Sequence, residues 1–318
     1  MTTGISSPTG ILPWLKLMRL PTVFTALSNI LCGYFISSPL RELPALIAQP
    51  ALWLLMLASA GLYLGGMVLN DVFDAALDAH ERPERPIPSG RISVTGATAL
   101  GIVLMIIGVS SAAVVSQISD TGQTSLVLAV ILAAVVVFYD SLLKNTPAAP
   151  AGMASCRGLN MLLGASSHLS IVTLFSADCP VLWVATGLAV YVSGVTWFAR
   201  NEAGHSSMAA LSGGLLVVLA GLSINVVLAE RLRHQQSAAA GALIALSLIA
   251  ANVSLRCVRA IRSNQPVLLQ KTVGFMLLNI IFVDAAMTFC LTGSGRLATV
   301  VVILVIPATL MKRILPLS

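Results

Sequence analysis

The chain has 318 residues, 57% of them hydrophobic and 9% charged, with a mean hydropathy of +0.93. An ordinary soluble domain carries about 25% charged residues, and no water-soluble fold of this length could enclose so much apolar surface, so lipid is the solvent. The net charge of +6 suits Lys- and Arg-rich cytoplasmic loops, and nucleic acid is not an expected partner.

Hydropathy is nearly uniform from Pro21 to Leu315, which reads as one transmembrane domain over 1–318. About 20 apolar residues cross a bilayer, and ten segments qualify, near 20–38, 51–69, 93–117, 121–139, 155–176, 180–199, 207–229, 237–256, 271–292 and 296–312. Runs such as Leu126–Phe138 do not alternate in polarity, so the fold class is all-α, a polytopic membrane helical bundle, and not a β-barrel. Met1–Gly10 lacks the basic start of a cleaved signal peptide, so the first apolar segment is expected in the mature protein. With the N-terminus cytoplasmic, Arg41, Arg231, Arg233 and Arg296 alone among the Lys and Arg fall outside, as the positive-inside rule asks. The loops after spans 2, 4 and 6 then share the cytoplasmic face. The cysteines at 32, 156, 179, 257 and 290 form no CxxC pair and read as small buried apolar residues.

After span 2 the chain reads Asn70-Asp71-Val72-Phe73-Asp74-Ala75-Ala76-Leu77-Asp78. On a helix, Asp71, Asp74 and Asp78 fall within roughly 60° of one another. Three like charges at a membrane surface need compensation, and carboxylate oxygens suit Mg²⁺ together with substrate phosphate oxygens. The Pro-rich stretch that follows carries Arg82, Arg85 and Arg91, guanidinium forks suited to phosphate. Acids and arginines on one loop imply a metal and a polyphosphate bound together.

The pattern Asn-Asp-x-x-Asp-x-x-x-Asp at 70–78, followed by Arg-Pro-Ile-Pro-Ser-Gly at 85–90, resembles the first signature of the UbiA superfamily of intramembrane prenyltransferases. The opening Arg19-Leu20-Pro21 resembles that family as well. The resemblance spans Leu17 to about Leu291. It implies nine core spans around a central cavity, with Mg²⁺ and a polyprenyl diphosphate held by Asn70, Asp71, Asp74 and Asp78. It implies transfer of an alkyl or aryl group other than methyl to a hydrophobic acceptor, aromatic or lipid, inside the membrane. Arg19, Arg82 and Arg85 are then substrate-binding, and Tyr139 and Lys144 after span 4 match a Tyr and a Lys of the family.

Arg157 enters span 5, where an unpaired guanidinium is expensive, and is expected to contact the diphosphate. Asn160, one turn on, is expected to hydrogen-bond between helices. The loop after span 6 departs from the family, which has a second aspartate-rich motif there. This chain has Arg200-Asn201-Glu202, so Glu202 is the one candidate metal ligand and Arg200 a substitute positive charge. The departure is similar to UbiA-like proteins of bacterial secondary-metabolite clusters, and a bacterial inner membrane is the expected location. Phe73, Tyr139, Tyr191 and Trp197 are candidates to steady a carbocation. The tenth span also departs from the family, and Asp284, midway along span 9, is a buried acid with no evident partner or role, expected to be protonated inside the bundle.

A secondary transporter would place its acids near the midplane on broken helices, whereas these cluster at one face. The pattern of a CDP-alcohol phosphotransferase is absent. The alternative that the depleted loop supports is a UbiA-like protein that binds or transports a prenylated lipid without catalysis.

Overall fold

The structure is a computed structural model that describes residues 10–200 and 207–314. Among the described residues the chain is helical without a strand: α1 Leu12–Leu17, α2 Val23–Ser37 entered through a 3-10 turn at Leu20–Thr22, α3 Leu43–Ile47, α4 Pro50–Phe73, α5 Ala75–Glu81, α6 Val94–Ile118, α7 Thr124–Phe138 continued by a π turn at Tyr139–Leu143, and α8 Ala149–Ala165. The second half comprises α9 Ile171–Leu174, α10 Pro180–Ala199, α11 Met208–Leu232, α12 Ala238–Ser263, α13 Pro266–Thr292, α14 Gly295–Ile303 and α15 Val305–Ile314. Pro50, Pro180 and Pro266 open α4, α10 and α13, where the missing N–H has no intrahelical partner to lose. Ser93, Ser207 and Ser294 cap α6, α11 and α14 by accepting a backbone N–H.

Nine stretches among the described residues are long and apolar enough to cross a membrane: Leu20–Ser37, Pro50–Phe73, Val94–Ile118, Thr124–Leu143, Pro180–Ala199, Met208–Leu232, Ala238–Ser263, Pro266–Thr292 and Gly295–Ile314. The last of the ten expected segments, 296–312, is among them, whereas the fifth, 155–176, is not. Its place is taken by α8, 17 residues long, which ends where Ser166-Ser167-His168 turns the chain toward the single turn of α9. Hydroxyls tie that turn to the start of α7, with Thr121 Oγ1 donating to the Ser166 carbonyl at 2.7 Å and Ser125 Oγ 2.7 Å from Ser166 Oγ. The last span is broken at Leu304, because Pro307 has no N–H for the carbonyl four residues earlier.

Neighbouring helices pack in the order α4, α6, α7, α8, α10, α11, α12, α13 and α2, which returns to α4, while α2 and α8 also touch directly. The α2–α8 contact depends on two glycines. A Cβ on Gly164 would stand 2.5 Å from the Ile30 carbonyl oxygen, and one on Gly33 would collide with the Met161 carbonyl, so only small residues allow this approach. The outer surfaces of α6 and α7 expose Ile102, Val103, Ile106, Val127, Val130 and Ile131, a continuous apolar area of the kind lipid covers.

Candidate active site

The site is built where α4 ends. The helix stops at Phe73, but Asp74 stays helical, and its N–H donates to the Asn70 carbonyl at 3.0 Å before α5 resumes. The small offset separates the three aspartates that the sequence placed on one face. Asp71 and Asp78, 6% and 4% exposed, turn toward Arg85, itself 6% exposed. Arg85 Nη1 lies 2.6 Å from Asp78 Oδ2 and 3.8 Å from Asp71 Oδ1. Asp74 points elsewhere, its Oδ1 2.6 Å from Lys144 Nζ.

Arg19 reaches the same cluster from the other side, Nη2 donating to Asp71 Oδ1 at 2.6 Å. It does so from a left-handed backbone, φ 48° and ψ 44°, between α1 and the 3-10 turn. A side chain in that region is strained and persists where its surroundings require it; here the ion pair and the turn into α2 are those surroundings. The Asn70 carboxamide donates to Asp140 Oδ1 at 2.9 Å. Asp140 and Tyr139 belong to the π turn at the end of α7, closed by Lys144 N–H donating to the Tyr139 carbonyl at 3.0 Å. Single π turns of this kind recur at functional sites, because the added residue re-aims the side chains around it.

Below this charged mouth lies an apolar pocket with about 520 Å³ of empty space, part of it open to solvent. It is enclosed by α2, α4, α7 and α8, from Ala26 through Leu62, Tyr63, Gly66, Met67, Leu132, Val136 and Met153 to Cys156. The resemblance implied a central cavity, and the lining of this one comes from helices in the first half of the chain. Its polar groups are few: Ser59, Tyr139, Asp140, Arg157 and Asn160. Arg157, 7% exposed, donates to Thr25 Oγ1 at 3.1 Å and to Asn29 Oδ1 at 3.4 Å, with the Tyr63 ring centroid 5.1 Å from its guanidinium carbon. Asn160 joins three helices, as expected of it, donating to the Ala26 carbonyl at 2.8 Å and accepting from Ser59 Oγ at 2.7 Å.

Asn70, Asp71, Asp74, Asp78, Arg19, Arg85, Tyr139, Lys144 and Arg157 therefore all lie at the mouth or in the pocket. Arg82 is exposed and makes none of these contacts, and Arg200 is exposed at the end of α10. Glu202 lies outside the described residues. Phe73 and Trp197 are also exposed, and Tyr191 is buried elsewhere with its hydroxyl donating to the Met276 carbonyl at 2.8 Å. Of the proposed aromatic faces only Tyr139 lines the pocket. Tyr63 and Asp140, which sequence reasoning passed over, line it too. An acid that directly follows an apolar run, as Asp140 follows Leu126–Tyr139, was the available signal. Asp284, for which no partner was evident, accepts from Ser28 Oγ at 2.6 Å and from Asn29 Nδ2 at 2.7 Å.

The fit to a divalent cation is one of donor chemistry. Carboxylate and carboxamide oxygens from Asn70, Asp71, Asp74 and Asp78 are the hard ligands Mg²⁺ takes. As the side chains stand, each aspartate is engaged by a cation, and among the described residues no three acids, histidines or cysteines converge as a metal site. A metal here would exchange places with the basic partners.

A family model described as the UbiA prenyltransferase family matches residues 26–280. A digeranylgeranylglyceryl phosphate synthase from Metallosphaera sedula is 30% identical over 206 residues, 64% of this chain and 69% of that one. Relatives of the same name are matched over less of their length, 33% in Sulfurisphaera tokodaii and 43% in Saccharolobus solfataricus. A solved structure reported for the biosynthesis of digeranylgeranylglyceryl phosphate synthase in membranes superposes with a TM-score of 0.62 at 18% identity, over 89% of this chain and 98% of that one. A UbiA homologue from Archaeoglobus fulgidus, bound to geranyl diphosphate and Mg²⁺, superposes with a TM-score of 0.58 at 14% identity, over 89% and 100%. At those identities the two structures show a shared fold. The named relatives are archaeal, which leaves the expected bacterial inner membrane without support from them.

Proposed function

This chain belongs to the UbiA prenyltransferase family, and from that premise we propose that it transfers a prenyl group from a polyprenyl diphosphate to a hydrophobic lipid acceptor, with Mg²⁺. One observation carries the reading: a charged mouth of Asp71, Asp74, Asp78, Arg19, Arg85 and Lys144 is joined through the Asn70–Asp140 hydrogen bond to an apolar pocket. That arrangement suits a molecule with a diphosphate head and an isoprenoid tail. The relatives' name, a phosphoglycerol lipid carrying two geranylgeranyl groups, supports a lipid acceptor over an aromatic one. The integral membrane placement follows from nine apolar spans. The aspartate mouth, with Arg19, Arg85 and Lys144 beside it, is assigned to the cytoplasmic side on the positive-inside rule.

Asn70, Asp71, Asp74 and Asp78 would hold Mg²⁺, which supplies positive charge to the departing diphosphate. Arg19, Arg85 and Lys144, freed from their aspartates, bind the phosphate oxygens and hold the scissile C–O bond at the pocket entrance. Arg157 meets the diphosphate from the pocket side. Leu62, Met67, Leu132, Val136 and Met153 exclude water from the allylic carbon, so that the acceptor, not water, captures it. The Tyr139 and Tyr63 faces steady the positive charge that develops there.

The test is diphosphate release from prenyl diphosphates of several lengths by purified protein supplied with a prenylated glycerol phosphate as lipid acceptor, with and without Mg²⁺, against Asp74→Asn. Metal-dependent release that falls by about a hundredfold or more in the variant is expected, since one electrostatic contact to a transition state is worth that much. Release that ignores both metal and substitution would reject the reading. Tight binding without turnover would select the non-catalytic lipid binder.

A further inference from the structure

Two buried ionisable side chains face each other across a single carboxamide. Arg157 on α8 and Asp284 on α13 are 7% and 0% exposed, and neither takes part in a salt bridge among the described residues. Asn29 on α2 connects them, its Nδ2 donating to Asp284 Oδ2 at 2.7 Å and its Oδ1 accepting from Arg157 Nη1 at 3.4 Å. Ser28 donates to the same Oδ2, while Asp284 Oδ1 is buried with no hydrogen-bond partner.

Asp284 Oδ2 already accepts from Ser28 and Asn29, and a guanidinium only donates, so between them the carboxamide has one workable orientation. Asp284 thereby sets which way Asn29 faces, and Asn29 sets where Arg157 points. The charges also need each other, because an isolated buried ion in a membrane bundle is costly. Arg157 lines the pocket, but Thr25, Ser28, Asn29 and Asp284 do not. The counter-charge of Arg157 therefore stands behind it. Arg19, Arg85 and Lys144 are engaged by aspartates of the mouth itself.

We propose that Asp284 is a positioning residue that neutralises Arg157 from behind and, through Asn29, keeps its guanidinium aimed into the pocket toward the diphosphate. The proposal rests on the assignment of the pocket to a prenyl diphosphate. It gives a role to an acid far along the chain from the aspartate loop.

The test uses the full chain in detergent micelles, with geranyl diphosphate, Mg²⁺ and a saturating prenylated glycerol phosphate as acceptor. Asp284→Leu and Arg157→Leu each raise KM for geranyl diphosphate on the order of tenfold, the loss of one charge-assisted contact, with kcat changed less. The double variant is no worse than the poorer single one. Asp284→Asn combined with Asn29→Asp returns a carboxylate to Arg157 and brings KM back to within a few-fold of wild type, which a merely structural role would not do. If Asp284→Leu does not fold, Asn29→Leu cuts the same link and raises KM alike. A folded Asp284→Leu or Asn29→Leu protein with wild-type KM, or additive losses in the double variant, overturns the proposal. Should the wild type release no diphosphate, the functional reading fails by itself. Calorimetric binding of inorganic pyrophosphate then decides the coupling, weakened together in the two single variants if Asp284 positions Arg157 and unchanged in Asp284→Leu if it does not.

Discussion

Replacing Arg85 by Met keeps an unbranched apolar stem and removes the guanidinium. Asp78 is 4% exposed and has Arg85 Nη1 at 2.6 Å as its ion-pair partner, so water cannot take over. Deleting one member of a buried pair costs about 3–5 kcal/mol, mostly the price of the charge left behind. Asp71 keeps Arg19 at 2.6 Å, its contact with Arg85 being the longer one at 3.8 Å, so the low end of about 3 kcal/mol applies. For a chain of this size that lowers the melting midpoint by roughly 6 °C, at about 2 °C per kcal/mol. The assay is thermal unfolding followed by tryptophan fluorescence, in one detergent and at one scan rate. The control is Arg233→Met, which loses an exposed pair with Glu230 at 3.3 Å and shifts the midpoint by no more than about 2 °C. Adding Asp78→Leu to Arg85→Met removes the stranded charge and recovers most of the loss. Wild-type melting in Arg85→Met, or further destabilisation by Asp78→Leu, would refute the ion-pair account of the mouth.

Two further outcomes follow from packing and protonation. Gly164→Val sets a branched side chain where even a Cβ stands 2.5 Å from the Ile30 carbonyl oxygen; α2 and α8 must part, at a cost of at least about 1–3 kcal/mol, and melting and geranyl diphosphate binding fall together. Unchanged melting would show that the two helices are not held in contact. His168, in the turn after α8, lies against the Tyr34 ring at 4.6 Å and has its pKa pushed down to about 4 by burial. An unfolded chain takes up that proton below about pH 6.5, so stability is full above that pH and is lost as pH falls toward about 4. His168→Gln narrows the gap between midpoints measured at about pH 7.5 and about pH 5, and an acid loss equal to wild type would rule His168 out as its source.

The membrane class was legible because lipid leaves so few options: apolar runs of span length can only be helices, and among the described residues nine of the ten segments are helices long enough to cross. The aspartate loop was legible because like charges crowded into eight residues have no innocent local explanation. Less was legible where the deciding contact is distant in sequence. Ser28 and Asp284 are 256 residues apart, and Asn70 and Asp140 are 70 apart, so no local periodicity joins them. Helix geometry also misled at Asp74, where a small offset between α4 and α5 redirects one acid from Arg85 to Lys144. The expected segment 155–176 is shorter in the structure. Its apolar residues continue, but α8 ends at Ala165, beside the contact between the hydroxyls of Ser166 and Ser125.

The mouth and the pocket carry four acids, Asp71, Asp74, Asp78 and Asp140, against four bases, Arg19, Arg85, Lys144 and Arg157. Most are committed to each other. Opposite charges so balanced give neither ligand of the proposed reaction an easy entry alone. A diphosphate that draws away Arg19, Arg85 and Lys144 leaves aspartates unpaired in a site of low polarity. A divalent cation on the aspartates strands the bases in the same way. Together the two satisfy both sets, since the acids released by the diphosphate are the oxygen donors a hard cation takes, and linkage makes each raise the other's affinity equally. On the proposed assignment of the site, the ion pairs are a gate that metal and substrate open jointly. On this account chelating Mg²⁺ abolishes diphosphate release as completely as Asp74→Asn, although every side chain of the site is still in place.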